Sequence, residues 1–265
     1  MRQDFAVDGP LEVDVKLGMG RLDTQIADPG TAWAAVEPVD PTHEPSARLA
    51  AQATVAFDGS RLKVHVPESG RLFRRAEIAV TLALPHASAV ALKGGAVDIT
   101  VVGGVDALTA KIGTGDVEVD EATTSLVVKA GQTDVRVGVC DAVAVTTGQG
   151  SLSADTVGDA VFKTGQGSVQ LGRTTGTVAV KGGSVDLDVS EAASGQISFT
   201  TGSGGATVAV ASGTSVELDL MSASGDVRCD LPMESSAPPG GAGLRVRLHT
   251  ASGNLRVAPA TPAAV

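Results

Sequence analysis

The chain has no tyrosine, one tryptophan (Trp33) and five phenylalanines (Phe5, Phe57, Phe73, Phe162 and Phe199) in 265 residues. That scarcity excludes a core built on large rings, so small and β-branched aliphatic residues must fill the interior. Basic residues are the scarcer charges, 20 against 30 acidic ones, for a net charge of −10. Nucleic acid is thereby excluded as a partner, because phosphate binding needs a basic footprint and usually stacking aromatics. Simple attachment to anionic lipid is disfavoured for the same reason. Two cysteines, Cys140 and Cys229, cannot make a disulfide framework and read as small buried apolar residues. Long hydrophobic runs are missing too. The longest, Ala76 to Leu84, is interrupted by Glu77 and Thr81 and is too short to insert across a membrane. Met1-Arg2-Gln3-Asp4-Phe5 leads into polar and strand-like residues with no apolar stretch of signal-peptide length. With Met1 taken as the native start, the expected location is cytoplasmic.

What the chain has in abundance is glycine, 33 residues, set in a repeat. Gly113-Thr-Gly-Asp-Val117 returns as Gly131-Gln-Thr-Asp-Val135, Gly148-Gln-Gly-Ser-Leu152, Gly165-Gln-Gly-Ser-Val169 and Gly182-Gly-Ser-Val185. The apolar anchors Val117, Val135, Leu152, Val169 and Val185 are 18, 17, 17 and 16 residues apart. Between the corners, apolar and polar residues alternate with the period of two that belongs to strands. A period of about 17 residues with strand alternation predicts a β-solenoid, in which each two-strand turn stacks on the next. One such turn cannot bury its apolar face alone, so the array must fold as a stack. Phe199 shares the parity of the inward Ile197, and Gln149 and Gln166 occupy one corner position in successive turns, where identical amides form a ladder.

The expected organisation is all-β. Residues 1–89 read as a less regular β cap, 90–258 as solenoid repeats with a loop insertion at 231–243, and 259–265 as a flexible tail. The cap alternates over Leu11–Leu17 and Leu22–Ile26. A loop broken by Pro38, Pro41 and Pro45 follows, and then strands at Leu62–Val66 and Ala76–Leu84. Segment 46–52 has room for a helical turn or two, too short to hold alone.

No residue set carries the spacing of a catalytic or cofactor site. The Gly-rich corners lead into strands, whereas a dinucleotide fingerprint opens a helix. Asp116, Asp134 and Asp226 at corners invite a calcium reading, but the period is twice that of calcium-binding nonapeptide repeats, and Ser151, Ser168 and Ser184 replace the aspartate. Corner hydrogen bonding to backbone N–H accounts for them. His43, His65, His86 and His249 lack zinc spacing. The acidic pairs Asp186/Asp188 and Glu217/Asp219 would suit glycan cleavage, yet the aromatic platforms of sugar sites are lacking. The one patch reading is basic: Arg71, Arg74 and Arg75, with an outward row of Arg245, Arg247 and Arg256, is a candidate docking surface.

The Thr114-Gly-Asp-Val, Thr147-Gly-Gln-Gly-Ser-Leu and Ala223-Ser-Gly-Asp-Val corners, with the strands Leu62–Pro67 and Val80–Pro85, resemble the bacterial putative-adhesin family, a β-strand-repeat domain of unknown function. The resemblance covers most of the chain, most strongly 55–257. It implies a β-repeat fold and adhesion, and it brings no catalytic residues. The expectation is a non-enzymatic scaffold without cofactor or metal, binding a protein partner or self-assembling through the last coil near 244–257. A surface glycan or matrix adhesin is the alternative, and a carbohydrate-active enzyme the next.

Overall fold

The computed structural model describes residues 1–67, 76–232 and 243–261. The described chain is mostly β with one short helix. It divides into two compact units, Met1–Gly138 and Val139–Val265. This division falls inside the repeat run, not at the 89/90 boundary expected from composition.

The first unit contains β1 (Arg2–Ala6), β2 (Glu12–Ile26), β3 (Thr31–Pro38), α1 (Glu44–Ala51), β4 (Thr54–Phe57), β5 (Arg61–His65), β6 (Ile78–Leu84), β7 (Ala89–Lys111), β8 (Val117–Lys129) and the start of β9 (Val135–Thr174). Residues 1–89 are not simply a cap. β2 is itself a rung, pairing in parallel with β5 and β6 on one side and β7 on the other. Val13 lies between Leu62 and Val90, and Leu22 between Val80 and Ile99, which in turn faces Val117. These inward residues are buried, as the alternation demands.

The covering pieces are antiparallel. β3 pairs β6, β1 pairs β3, and β4 pairs β5. Helix α1, where sequence reading allowed only a turn or two, packs on β3 and β6. Pro45 sits at its start, where a missing N–H costs nothing, and Leu49 and Ala50 are buried. Ser46 ties it down by accepting the Glu77 N–H at 3.1 Å. Tertiary contact thus stabilises a helix too short to persist in isolation.

The second unit contains the rest of β9, then β10 (Thr177–Ala192), β11 (Gly195–Ser203), β12 (Ala206–Val210), β13 (Val216–Ser224), β14 (Val227–Cys229), β15 (Leu244–Ser252) and β16 (Leu255–Pro259). Its rungs are parallel and stack apolar side chains in columns. One runs Phe162, Val180, Phe199, Leu248, Leu220; another runs Ala160, Val178, Ile197, Val246, Leu218. Alternating large and small residues down the first column lets two rings fit a narrow interior. Phe199 is fully buried, as its parity with Ile197 requires.

Two expectations need correction. Val185 does not stack on Val169. Leu187 does, and Val185 lies opposite Gly167. Gly182 stands where the preceding rung has Thr164, so the shortened corner of the sequence alignment hid an 18-residue step. The second correction concerns the last coil. β15 pairs β11 on one side and β13 on the other, and β16 lies likewise between β12 and β14. The rung nearest the C-terminus is therefore interior, and among the described residues the 216–229 rung is the edge. The last coil at 244–257, expected to offer a free end for self-assembly, has a paired strand on each side instead. Of the expected loop at 231–243, residues 233–242 lie outside the described residues, as do 262–265 of the expected tail.

Candidate functional site

The repeated corners link successive rungs and so hold the surface rows in register. Thr147, Thr164, Thr201 and Thr250 are buried at equivalent positions. Each hydroxyl donates to the carbonyl two residues on: Thr147 to Gln149 at 2.7 Å, Thr164 to Gln166 at 2.8 Å, Thr201 to Ser203 at 2.8 Å and Thr250 to Ser252 at 3.2 Å. Thr201 also accepts the Val185 N–H at 3.2 Å. A buried hydroxyl is tolerable when so satisfied. The burial of these threonines escaped sequence reasoning, although the Thr-Gly dipeptide at three of the four corners (Thr147, Thr164 and Thr201) was a signal.

Glycine is required where the chain turns. Gly204 has φ +123°, and a Cβ there would lie 2.0 Å from the Val185 carbonyl oxygen. Carboxylate and amide side chains then link one rung to the next. Asp98 Oδ1 accepts the Asp116 N–H at 3.0 Å, Asp186 Oδ1 the Gly205 N–H at 2.8 Å, and Asn254 Oδ1 the Asp226 N–H at 2.9 Å. Asp116 and Asp226, the corner acids singled out from the repeat, are thus backbone donors in these bonds. Gln149 donates to Gln166 across 3.1 Å, the amide ladder expected from their stacking.

The acidic pairs separate in character. Asp186 and Asp188 line a shallow open groove of about 310 Å³ with Ser168, Gln170, Thr207 and Asn254. Glu217 and Asp219 are engaged in ion pairs. On adjacent rungs, Glu217 meets Arg245 at 2.9 Å, and Asp219 meets Arg247 at 2.8 Å and His249 at 3.1 Å. Arg256 meets Asp230 at 2.8 Å. The His249 ring and then the Arg247 guanidinium, both hydrogen-bonded to it, hold the Asp219 carboxyl below the ordinary carboxylate range. Arg245, Arg247 and Arg256 are therefore outward, as the alternation placed them, and each has an acidic partner. Arg71, Arg74 and Arg75 lie outside the described residues.

Among the described residues, no group of three or more His, Cys, Asp or Glu is placed to hold a metal ion, and no helix is long and apolar enough to cross a membrane. Neither cysteine is in a disulfide. Cys140 is buried, while Cys229 is only half-buried, because it lies on the edge rung.

Residues 51–258 match the family described as Toastrack DUF4097. The chain belongs to this family. Its strand repeats and corners are those from which the resemblance to bacterial adhesins was read. No curated protein matches the toastrack chain. Solved structures similar to it include a putative adhesin from Bacteroides fragilis, 15% identical, covering 97% of this chain and 96% of that one with a TM-score of 0.33. A putative cell adhesion protein from Clostridium sporogenes is 10% identical, with coverage of 98% and 99% and a TM-score of 0.23. A putative lipid binding protein from Parabacteroides distasonis is 9% identical, with coverage of 96% and 96% and a TM-score of 0.32. At such scores these likenesses bear on neither ligand nor partner.

Proposed function

We propose that this toastrack protein is a non-enzymatic, adhesin-like interaction scaffold, a β-solenoid whose outward side-chain rows are held at fixed spacing for a protein partner. The observation that carries the reading is the use made of polar groups. The corner threonines close their own corners, and Asp98, Asp186, Gln149 and Thr201 bond from rung to rung, which supports a stiff, preformed surface of the kind that binds without reorganising. In the same reading the basic rows, Arg71, Arg74 and Arg75 on one hand and Arg245, Arg247 and Arg256 on the other, contribute to docking. Affinity capture with the full chain from its native cell, followed by purified two-component binding, tests the proposal. A partner reconstituted in vitro supports it, and an inert monomer in both measurements removes it.

The open groove with Asp186 and Asp188 supports a second reading, adhesion to surface glycan or matrix. That reading needs the groove to face the outside of the cell. Fractionation that places the protein wholly in the cytosol ends the second reading and leaves the first.

A further inference from the structure

The interior rungs of the second unit have a neighbour on each side, and the 216–229 rung has one. Among the described residues β13 pairs β15 alone, and β14 pairs β16 alone. Among the described residues nothing pairs the other side of β13. The consequence is visible in the columns. Phe199 and Leu248 are buried, while Leu220, next in the same column, is only half-buried; Ile197 and Val246 are buried, while Leu218 is only half-buried. Val227 is 45% exposed on the second arm, and Met221, on the outward face of β13, is 57% exposed. A strand of nine residues with an open backbone edge and uncovered inward aliphatics is a template for one more strand.

The outward charges say which strand. β15 reads Leu244-Arg-Val-Arg-Leu248 and β13 reads Val216-Glu-Leu-Asp-Leu220, paired residue for residue. Acid on β13 meets base on β15 at both outward positions, Glu217 with Arg245 and Asp219 with Arg247. Seen from the edge, the outward row on β13 is acidic, in a chain of net charge −10. A second copy would bring like charge to this edge; a basic strand would be drawn to it and would set its cations across from Glu217 and Asp219.

We propose that the outer edge of β13 receives an extended segment of a partner protein in which apolar residues alternate with basic ones, added in the sheet as one more strand. The apolar residues cover Val216, Leu218 and Leu220, and the basic residues extend the alternating charge ladder. This rests on the reading of the protein as an interaction module and names the chemistry its partner must carry.

The test titrates the full chain with a fluorescent acetylated peptide Val-Arg-Val-Arg-Val-Arg-Val, and with the same peptide carrying Glu for each Arg. The expected result is saturable binding of the basic peptide, weakened by added salt, and none of the acidic one. Glu217→Gln with Asp219→Asn should weaken it about three- to tenfold, the range for two cross-strand charge pairs. Met221→Lys leaves the Arg245 and Arg247 pairs in place and should weaken binding as well; an unchanged melting curve shows that either variant is folded. Equal binding of both peptides, no binding, or indifference to Met221→Lys overturns the proposal. A wild-type dimer that Met221→Lys dissociates overturns it too, by giving the edge to a second copy. A partner that the Met221→Lys protein captures as well as wild type does would sink the edge and leave the interaction module standing, whereas a wild-type chain that binds no partner would sink the module.

Discussion

The outermost rungs of the two units are built from the same alternation and finished in opposite ways. In the first unit, the β5–β6 rung carries Leu62, Val64, Ile78, Val80, Leu82 and Leu84, all buried, because β3 and β4 pair its strands in antiparallel fashion and α1 packs on β6. In the second, the β13–β14 rung carries Val216, Leu218, Leu220 and Cys229 only half-buried and Val227 exposed. Inward alternation therefore fixes which way a side chain points, and burial depends on the next rung. An exposed strand edge is a liability that proteins usually cover; the first unit covers its edge with strands and a helix, while among the described residues nothing pairs the outer edge of β13 in the second.

The sharpest way to break this comparison is to truncate matched residues. Phe199→Ala, in the middle of a column, should cost about 3–5 kcal/mol, and Leu82→Ala, on the covered outer rung, about 2–5 kcal/mol. Leu220→Ala, at the end of the Phe199 column, should cost less, about 1–2 kcal/mol, since it is only half-buried and the cavity opens toward water. Urea unfolding of the three variants checks this. Equal losses at Leu82 and Leu220 would show that the β13 edge is covered after all.

Backbone strain gives the next largest effect. Gly204→Ala should destabilise the second unit by about 2–3 kcal/mol, because alanine is strained at φ +123° and its Cβ meets the Val185 carbonyl. Gly213→Ala is the control. Its φ of +80° is also positive, but nothing stands within 4 Å of the added carbon, so about 1 kcal/mol is expected. Thermal melts separate the crowded corner from the open one.

A smaller effect of opposite sign is expected in the first unit. Thr24, between Leu82 and Val101 in an aliphatic column, is buried with its hydroxyl oxygen unpaired. Thr24→Val should stabilise by about 1 kcal/mol, read as a higher urea midpoint at unchanged slope.

The smallest effect is the pH response of the edge. Asp219 titrates below the ordinary carboxylate range when folded, so its contribution is present above the unfolded pKa and is lost as pH falls through the folded one. Acidification through that range should loosen the β13–β15 pairing before it touches the buried columns. Asp219→Asn should remove this pH dependence in amide exchange of β13.

Much of this was legible in the residues. The period, the inward parity of Phe199 and the Gln149–Gln166 ladder follow from repetition and from strand alternation alone. The family itself was readable from the corner motif. The order of the last rungs was not, because a repeat invites the assumption that neighbours in sequence are neighbours in the stack. The matched Val216–Leu220 and Leu244–Leu248 strands, acid against base, held the information that they pair, but not that β15 also reaches β11. Helix α1 was legible as a turn or two at 46–52; its start was obscured by Pro38, Pro41 and Pro45, which read as loop punctuation, although Pro45 is compatible with a helix start. At the candidate surface, parity placed Arg245, Arg247 and Arg256 outward. Their acidic partners lie 28, 28 and 26 residues away in sequence, beyond any local pattern.

The central claim is that the 244–257 rung lies inside the stack and the 216–229 rung at its edge. Amide hydrogen exchange resolved by mass spectrometry on the full chain addresses it directly. The account predicts slow exchange across 244–252 and faster exchange across 216–224. The reverse order, with 216–224 protected and 244–252 exchanging freely, would contradict it.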